Sequence, residues 1–292
     1  MADQSNNKIP DEWADVLESF ERRVSEGRAM GRPEKLRKRA SNGLLNARER
    51  IDLLIDSGSF EEIGSLVGMA EYDGLPAAPA DALVGGLAAI DGRSVVLGSE
   101  DATVQGGSIG LGTHAKRLRL ANIAQRERVP LIMILDGAGE RMSNSLQKYP
   151  YAPNDMQEMA ALSRQVPTIA IVLGASAGHG AITALLSDIV IMSQKGAIFA
   201  GGPPLVQRAI GEVITKEDLG GPTVHGDNGV VHNIAADEEQ ALAMAREYLS
   251  YLPSNAWEYA PVDDSSDTGG RRLDGILQDL PRDGRRPYDI RK

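Results

Sequence analysis

The chain has 292 residues, and 31 Lys and Arg against 41 Asp and Glu give it a net charge of −10. With 42% hydrophobic and 25% charged residues it has ordinary globular composition, and it is long enough to bury a sizeable core. It has no cysteine, which excludes disulfides, a thiolate nucleophile, iron–sulfur clusters and Cys-ligated zinc. His114, His179, His225 and His232 show no HExxH-like spacing, so no metal site is expected. The opening MADQSNNKIP lacks the apolar core of a secretory signal, and the apolar runs fall far short of the ~20 residues that span a bilayer. A cytoplasmic protein without membrane contact is the expectation.

Residues 1–40 read as a basic helical segment, 41–262 as the main domain and 263–292 as a polar linker and tail. From Arg22 to Arg50 stand ten basic and three acidic residues, a net of +7 that leaves −17 elsewhere. Such a segment is either a solvated helical face or the mark of an anionic partner. Aromatics at 4% are too few for base-stacking platforms, which disfavours nucleic acid; a phosphate-rich small molecule stays open.

Residues 11–40 read as helix, with Trp13, Val16, Leu17, Phe20 and Val24 at helical spacing. A second helix covers residues 46–56, with Asn46 as N-cap and Glu49 at the capping-box position. Residues 68–81 form a loop. The apolar runs 82–90 and 94–99 flank Asp91-Gly92-Arg93, a hairpin signal. Residues 129–135 and 168–173 are buried strands, 188–192 and 197–200 shorter ones, and helices are expected at 155–164 and 181–186. Strand, glycine-rich turn and helix recur, which is an α/β pattern. Residues 238–251 form an amphipathic helix.

Three glycine-rich clusters follow apolar segments: Gln105 to Gly112, Asp136 to Arg141 and Gly174 to Ala181. Such turns release backbone N–H groups that can hold a phosphate or a developing oxyanion, although a tight turn alone also needs glycine. None is a Walker A loop or a dinucleotide fingerprint, and no GxSxG elbow occurs. Catalysis, if present, falls to backbone dipoles. His179, between two glycines, reads more readily as a capping or packing ring than as a general base. His114 opens a helix with Lys116, Arg117 and Arg119, read as a solvated face. Asp136 and Arg141 read as an ion pair bracing the second turn, and Tyr149 to Pro153 as a rigid aromatic loop.

The order of these motifs resembles the N-terminal lobe of the carboxyltransferase β subunit of biotin-dependent acyl-CoA carboxylases, such as propionyl-CoA carboxylase. The matching pieces are Ala47 to Leu54 with Gly58 to Glu62, the turn Gly106-Gly107-Ser108, Asp136 to Arg141 (similar to D-S-G-G-A-R) and Gly174 to Ala181. The most specific is Gly201-Gly202-Pro203 with Gly211 to Gly221 and His225; Pro287 to Arg291 is similar to the segment joining the family's two lobes. The resemblance implies a crotonase-like fold of ββα superhelical turns and a single N-type lobe. It implies a coenzyme A thioester as substrate, held by a backbone oxyanion hole at Ala138 and Gly139, with Gly106, Gly107, Ser108, Gly178, His179 and Gly180 beside it. Arg37, Lys38 and Arg39 are the candidates for the coenzyme A phosphates.

The resemblance further implies an enolate formed alpha to the thioester and carboxylated by carboxybiotin, whose released ureido oxyanion acts as base; no metal is implied. The biotin rides on a carrier protein, so the implied partners are a biotin carboxylase, a biotin carboxyl carrier protein and a complementary C-lobe subunit on a separate chain, in a hetero-oligomer. Three departures stand out: Ala138 replaces a glycine, Glu140 replaces an alanine and His179 interrupts an A-G-G-A run. Two alternatives remain open at this point, a malonyl-thioester decarboxylase subunit and a non-catalytic acyl-CoA-binding assembly subunit.

Overall fold

Asp91 and Gly92 adopt positive φ of 50° and 76° and close a two-residue hairpin in which Ile90 pairs with Arg93. This left-handed pair matches the twist of the strands it joins. The structure is a computed structural model that describes residues 10–68, 77–146, 155–262, 270 and 272–289. The chain divides into two compact units, Met1–Ala260 and Pro261–Lys292.

The first unit opens with α1 (Ala14–Arg28), α2 (Pro33–Ser41) and α3 (Ala47–Leu54). The expected single helix over 11–40 is therefore two. Met30 has φ +61°, Arg32 is extended, and Pro33 takes the first helical position of α2, where its missing N–H costs nothing. The apolar stripe of α1 is open: Trp13, Val16 and Phe20 are each more than half exposed. The capping box at α3 forms as expected, with Asn46 Oδ1 accepting from Glu49 N–H at 3.0 Å and Glu49 accepting from Asn46 N–H at 2.7 Å.

Next come β1 (Glu61–Glu62), β2 (Leu83–Ile90), β3 (Arg93–Glu100), α4 (Leu111–Glu127), β4 (Leu131–Gly137), α5 (Asp155–Ala161), β5 (Thr168–Ala177) and α6 (His179–Leu186). The unit continues through β6 (Ile189–Ser193), β7 (Ala197–Phe199), α7 (Pro203–Ile210), α8 (Lys216–Gly220), α9 (Pro222–His225), β8 (Asn233–Ala235) and α10 (Glu238–Tyr251). One sheet runs β1-β2-β3-β4-β5-β6-β8, with β7 paired to the end of β5. The first two pairings are antiparallel and the rest parallel.

Both faces of the sheet are covered, so its central strands read as unbroken apolar runs rather than alternating ones. Alternate residues still part to opposite sides. Ile132, Ile134, Ile169 and Ile171 pack with Ile51 and Leu54 of α3 and Leu242 of α10. Leu131, Met133, Leu135 and Val172 pack with Leu120 of α4, Met159 of α5 and Ala184 of α6. The fold is thus the α/β crotonase-like layering that the resemblance implies. The second unit carries α11 (Ile276–Asp279) and a cleft lined by Leu273, Leu280 and Tyr288 among others. The aromatic loop at 149–153 and most of the expected linker, 263–269, lie outside the described residues.

Candidate active site

All three glycine turns gather at the carboxyl ends of the central strands β3, β4 and β5, where ligands of open parallel sheets bind. The second turn follows β4. Ala138 N–H donates to Gly106 O at 3.1 Å and Ile109 N–H to Gly139 O at 2.8 Å, which ties the first turn to the second. Gly139 has φ +83°, and a Cβ there would lie 2.8 Å from Ala177 O, so the second turn also abuts the third. Gly178 N–H, in turn, donates to Phe199 O at 3.0 Å.

These bonds sort the expected donors. The N–H of Ala138 is spent on the first turn and that of Gly178 on β7. Among the described residues, no hydrogen bond takes the N–H of Gly139, nor those of His179 and Gly180 in the first turn of α6, where helical N–H groups lack partners in the helix. Of the two amides expected to form an oxyanion hole, Ala138 N–H is thus engaged and Gly139 N–H is without a partner among the described residues. Ser108 is buried: its hydroxyl donates to Gln105 O at 2.8 Å and accepts from Arg141 at 3.1 Å. Gly106 is exposed beside it and Gly107 buried.

Beneath the turns runs a chain of buried charges that sequence reading did not foresee. Arg39 reaches Asp136 at 2.6 Å, and Arg50 bridges Asp136 at 3.0 Å and Glu238 at 2.6 Å. Asp136 N–H donates to Glu100 at 2.8 Å, Glu100 meets Arg117 at 3.2 Å, and Arg117 meets Asp155 at 2.8 Å. Asp155 then holds both His114 (2.9 Å) and His179 (2.8 Å), and His114 meets Glu140 at 2.8 Å. Glu140 also accepts from the Asn144 amide. The approach of Asp136 to β5 requires Gly174, since a Cβ there would collide with the carboxylate.

Burial and partners set the protonation of this chain. Burial pushes Glu100 up from 4.5 to about 7, against the opposing pull of Arg117 and the Asp136 N–H. Burial also opposes ionisation of Asp155, but hydrogen bonds from His114 and His179 and the Arg117 charge outweigh it and hold that carboxyl well below the usual range.

Two sequence expectations are corrected here, and one cluster is new. Arg141 pairs with Asp81 at 2.5 Å, not with Asp136, which faces Arg39 and Arg50 on the other side of the turn. The face bearing His114, Lys116 and Arg117 is buried, 5%, 4% and 1% exposed respectively, because α4 lays it against β2, β3 and α5; only Arg119 is exposed. Histidines with no metal-binding spacing in sequence converge in space: ligand atoms of His114, Glu140 and His179 lie within 4.8 Å of one another.

Of the candidates for phosphate, Arg37 and Lys38 are exposed on α2, while Arg39 is turned inward to Asp136. A cleft of 430 Å³ opens instead between the α1–α2 connection and the first glycine turn, lined by Arg32, Lys35, Thr103 and Gln105 among others. Neither Arg32 nor Lys35 was singled out from sequence, where they stood undistinguished in the basic run.

The carboxyl transferase domain matches residues 38–292. The chain is 30% identical to the methylmalonyl-CoA decarboxylase subunit alpha of Veillonella parvula, over 94% of this chain and 55% of the relative. It is 31% identical to the methylmalonyl-CoA carboxyltransferase 12S subunit of Propionibacterium freudenreichii subsp. shermanii, over 100% of this chain and 56% of the relative. A crystal structure of transcarboxylase 12S, with methylmalonyl-coenzyme A and methylmalonic acid bound, superposes with a TM-score of 0.80 at 31% identity, covering 95% of this chain and 55% of that one. The chain thus spans about half the length of the curated relatives it matches. No helix among the described residues is long and apolar enough to cross a membrane. On the extent of the domain match and the shared fold, the chain belongs to the carboxyl transferase domain family.

Proposed function

We propose that this lobe binds the acyl-CoA substrate of a biotin-dependent carboxyltransferase and stabilises its enolate. The observation that carries the reading is the meeting of the three glycine turns at the carboxyl ends of β3, β4 and β5, with the Gly139 N–H left without a partner among the described residues. Removing a proton alpha to a thioester places negative charge on the carbonyl oxygen, and a preorganised amide donor there contributes several kcal/mol. The N–H groups of His179 and Gly180 at the start of α6 are the nearest candidates for a second donor. Carboxybiotin on a carrier protein would release CO₂ by cleavage of its N–C bond; the ureido anion left behind would take the alpha proton, and the enolate carbon would attack the CO₂.

The thioester's nucleotide end is assigned to the cleft of Arg32 and Lys35, with Arg37 and Lys38 adding to the local positive field. Gly106, Gly107 and Ser108 then form the floor between phosphates and acyl group. The complementary lobe, with the biotin carboxylase and the carrier, completes the assembly. Exposed apolar residues support such a contact: Ile182 and Leu185 on α6, Leu205 and Ile210 on α7, and Val213 at 81%.

A second reading, decarboxylation of a malonyl-type thioester, is favoured by the likeness to a decarboxylase alpha subunit. The same half-site serves both, since both directions pass through the enolate. Titration of the purified chain with coenzyme A thioesters tests the shared step. Saturable binding is expected, and Arg32→Glu with Lys35→Glu should weaken it about tenfold or more at low salt, with the loss shrinking as ionic strength rises. Affinity untouched by the double substitution at every salt concentration would contradict the cleft assignment.

A further inference from the structure

The geometry points to a divalent transition-metal site formed by His114, Glu140 and His179. Asp155 binds one nitrogen of each ring: His114 Nδ1 at 2.9 Å and His179 Nε2 at 2.8 Å. Asp155 thus grips both rings from one side and turns the other nitrogen of each toward Glu140. The remaining nitrogens, His114 Nε2 and His179 Nδ1, both lie toward Glu140 Oε2, at 2.8 and 4.0 Å. A proton can serve only one such contact. A metal ion serves all three atoms at once.

The supporting groups have the form such sites take. Metal-bound histidines hand their second N–H to a carboxylate, which is the part Asp155 plays for both rings. Asp155 is itself held by Arg117, and Glu140 by the buried Asn144 amide. The two imidazoles are edge to face with centroids 4.9 Å apart, and each is at most 7% exposed. Metal bonds of about 2.0–2.1 Å place ligand atoms roughly 3–3.5 Å apart, so the three ligand atoms, now within 4.8 Å of one another, must draw together, by a turn of the half-exposed Glu140 side chain and a small approach of the two rings. Two imidazoles and one carboxylate suit Zn²⁺, Fe²⁺ or Co²⁺ and leave positions open for water or an oxygen ligand. Glu140 directly follows Gly139, so the ion would lie beside the turn bearing the free amide. The metal site does not depend on the carboxyltransferase reading.

Chelator-stripped full-length protein titrated with Co²⁺, and separately with Zn²⁺, tests this without any activity assay. Saturation at one ion per chain is expected, with visible Co²⁺ absorption bands of a four- or five-coordinate nitrogen–oxygen site that Zn²⁺ abolishes. His179→Ala and Glu140→Ala should each weaken binding at least tenfold, and Asp155→Asn by about 10- to 100-fold. The half-exposed Glu140 makes its variant safe for folding, checked by circular dichroism. Absence of saturable binding, or affinity unchanged in Glu140→Ala, would overturn the proposal and leave a proton as the cation of the cluster.

Discussion

Glu100 is a residue whose charge state depends strongly on the fold. It sits under the second glycine turn, accepts the Asp136 N–H at 2.8 Å and is 1% exposed. Its folded pKa is raised, from 4.5 to about 7, so the folded state holds its proton more tightly than the unfolded state does. The sign follows from that preference: its contribution to stability is complete below its unfolded pKa and is lost as pH rises through about 7. Glu100→Gln keeps an oxygen for the Asp136 N–H and removes the titration. Thermal unfolding of both proteins from about pH 5 to about pH 8 should show wild-type stability declining relative to the variant as pH rises. Parallel curves would mean that Glu100 ionises freely in the folded protein. None of this was legible in the sequence, where Glu100 simply ends an apolar strand. Arg50 and Glu238, 188 residues apart, were equally invisible as a pair, because charge pairing across the fold has no local signature.

Elements with a local cause were read with little error. The Asp91-Gly92 turn announced its hairpin, α10 keeps its expected bounds, and the α3 capping box was visible as Asn46 with Glu49. The misread helix at 11–40 also had a local cause in view, since Pro33 limits the residue before it. The buried face of α4 was misjudged for a different reason. Charged residues on a helix signal solvent unless partners from distant segments neutralise them, and here Asp155 and Glu100 do so from α5 and β3. The α3 cap offers a direct check of local energetics. Asn46→Ala removes acceptors for two backbone N–H groups and should cost about 1 kcal/mol in urea unfolding, while Asn46→Ser should recover most of it. An Ala variant as stable as wild type would show that packing of Ile51 and Leu54 alone holds α3.

At the scale of the molecule, the turns, the cleft and the apolar surface belong to one lobe and divide the work. In the proposed reading the turns place an amide donor, Arg32 and Lys35 flank the coenzyme A cleft, and the exposed side chains of α6 and α7 meet the complementary lobe. The order of the glycine turns was readable from sequence, and with it the fold. Which amides are free was not, because that depends on hydrogen bonds between turns more than 30 residues apart in the chain, such as Ala138 to Gly106. The central claim is that this lobe holds the acyl-CoA enolate while a complementary lobe presents biotin. Transfer of a labelled carboxyl group from a malonyl- or methylmalonyl-type thioester to biotin, measured with this chain, a complementary lobe and both together, tests it most directly. The account predicts label on biotin only when both lobes are present. Transfer by this chain alone would contradict it, as would thioester binding without transfer in the presence of a complementary lobe that this chain demonstrably binds.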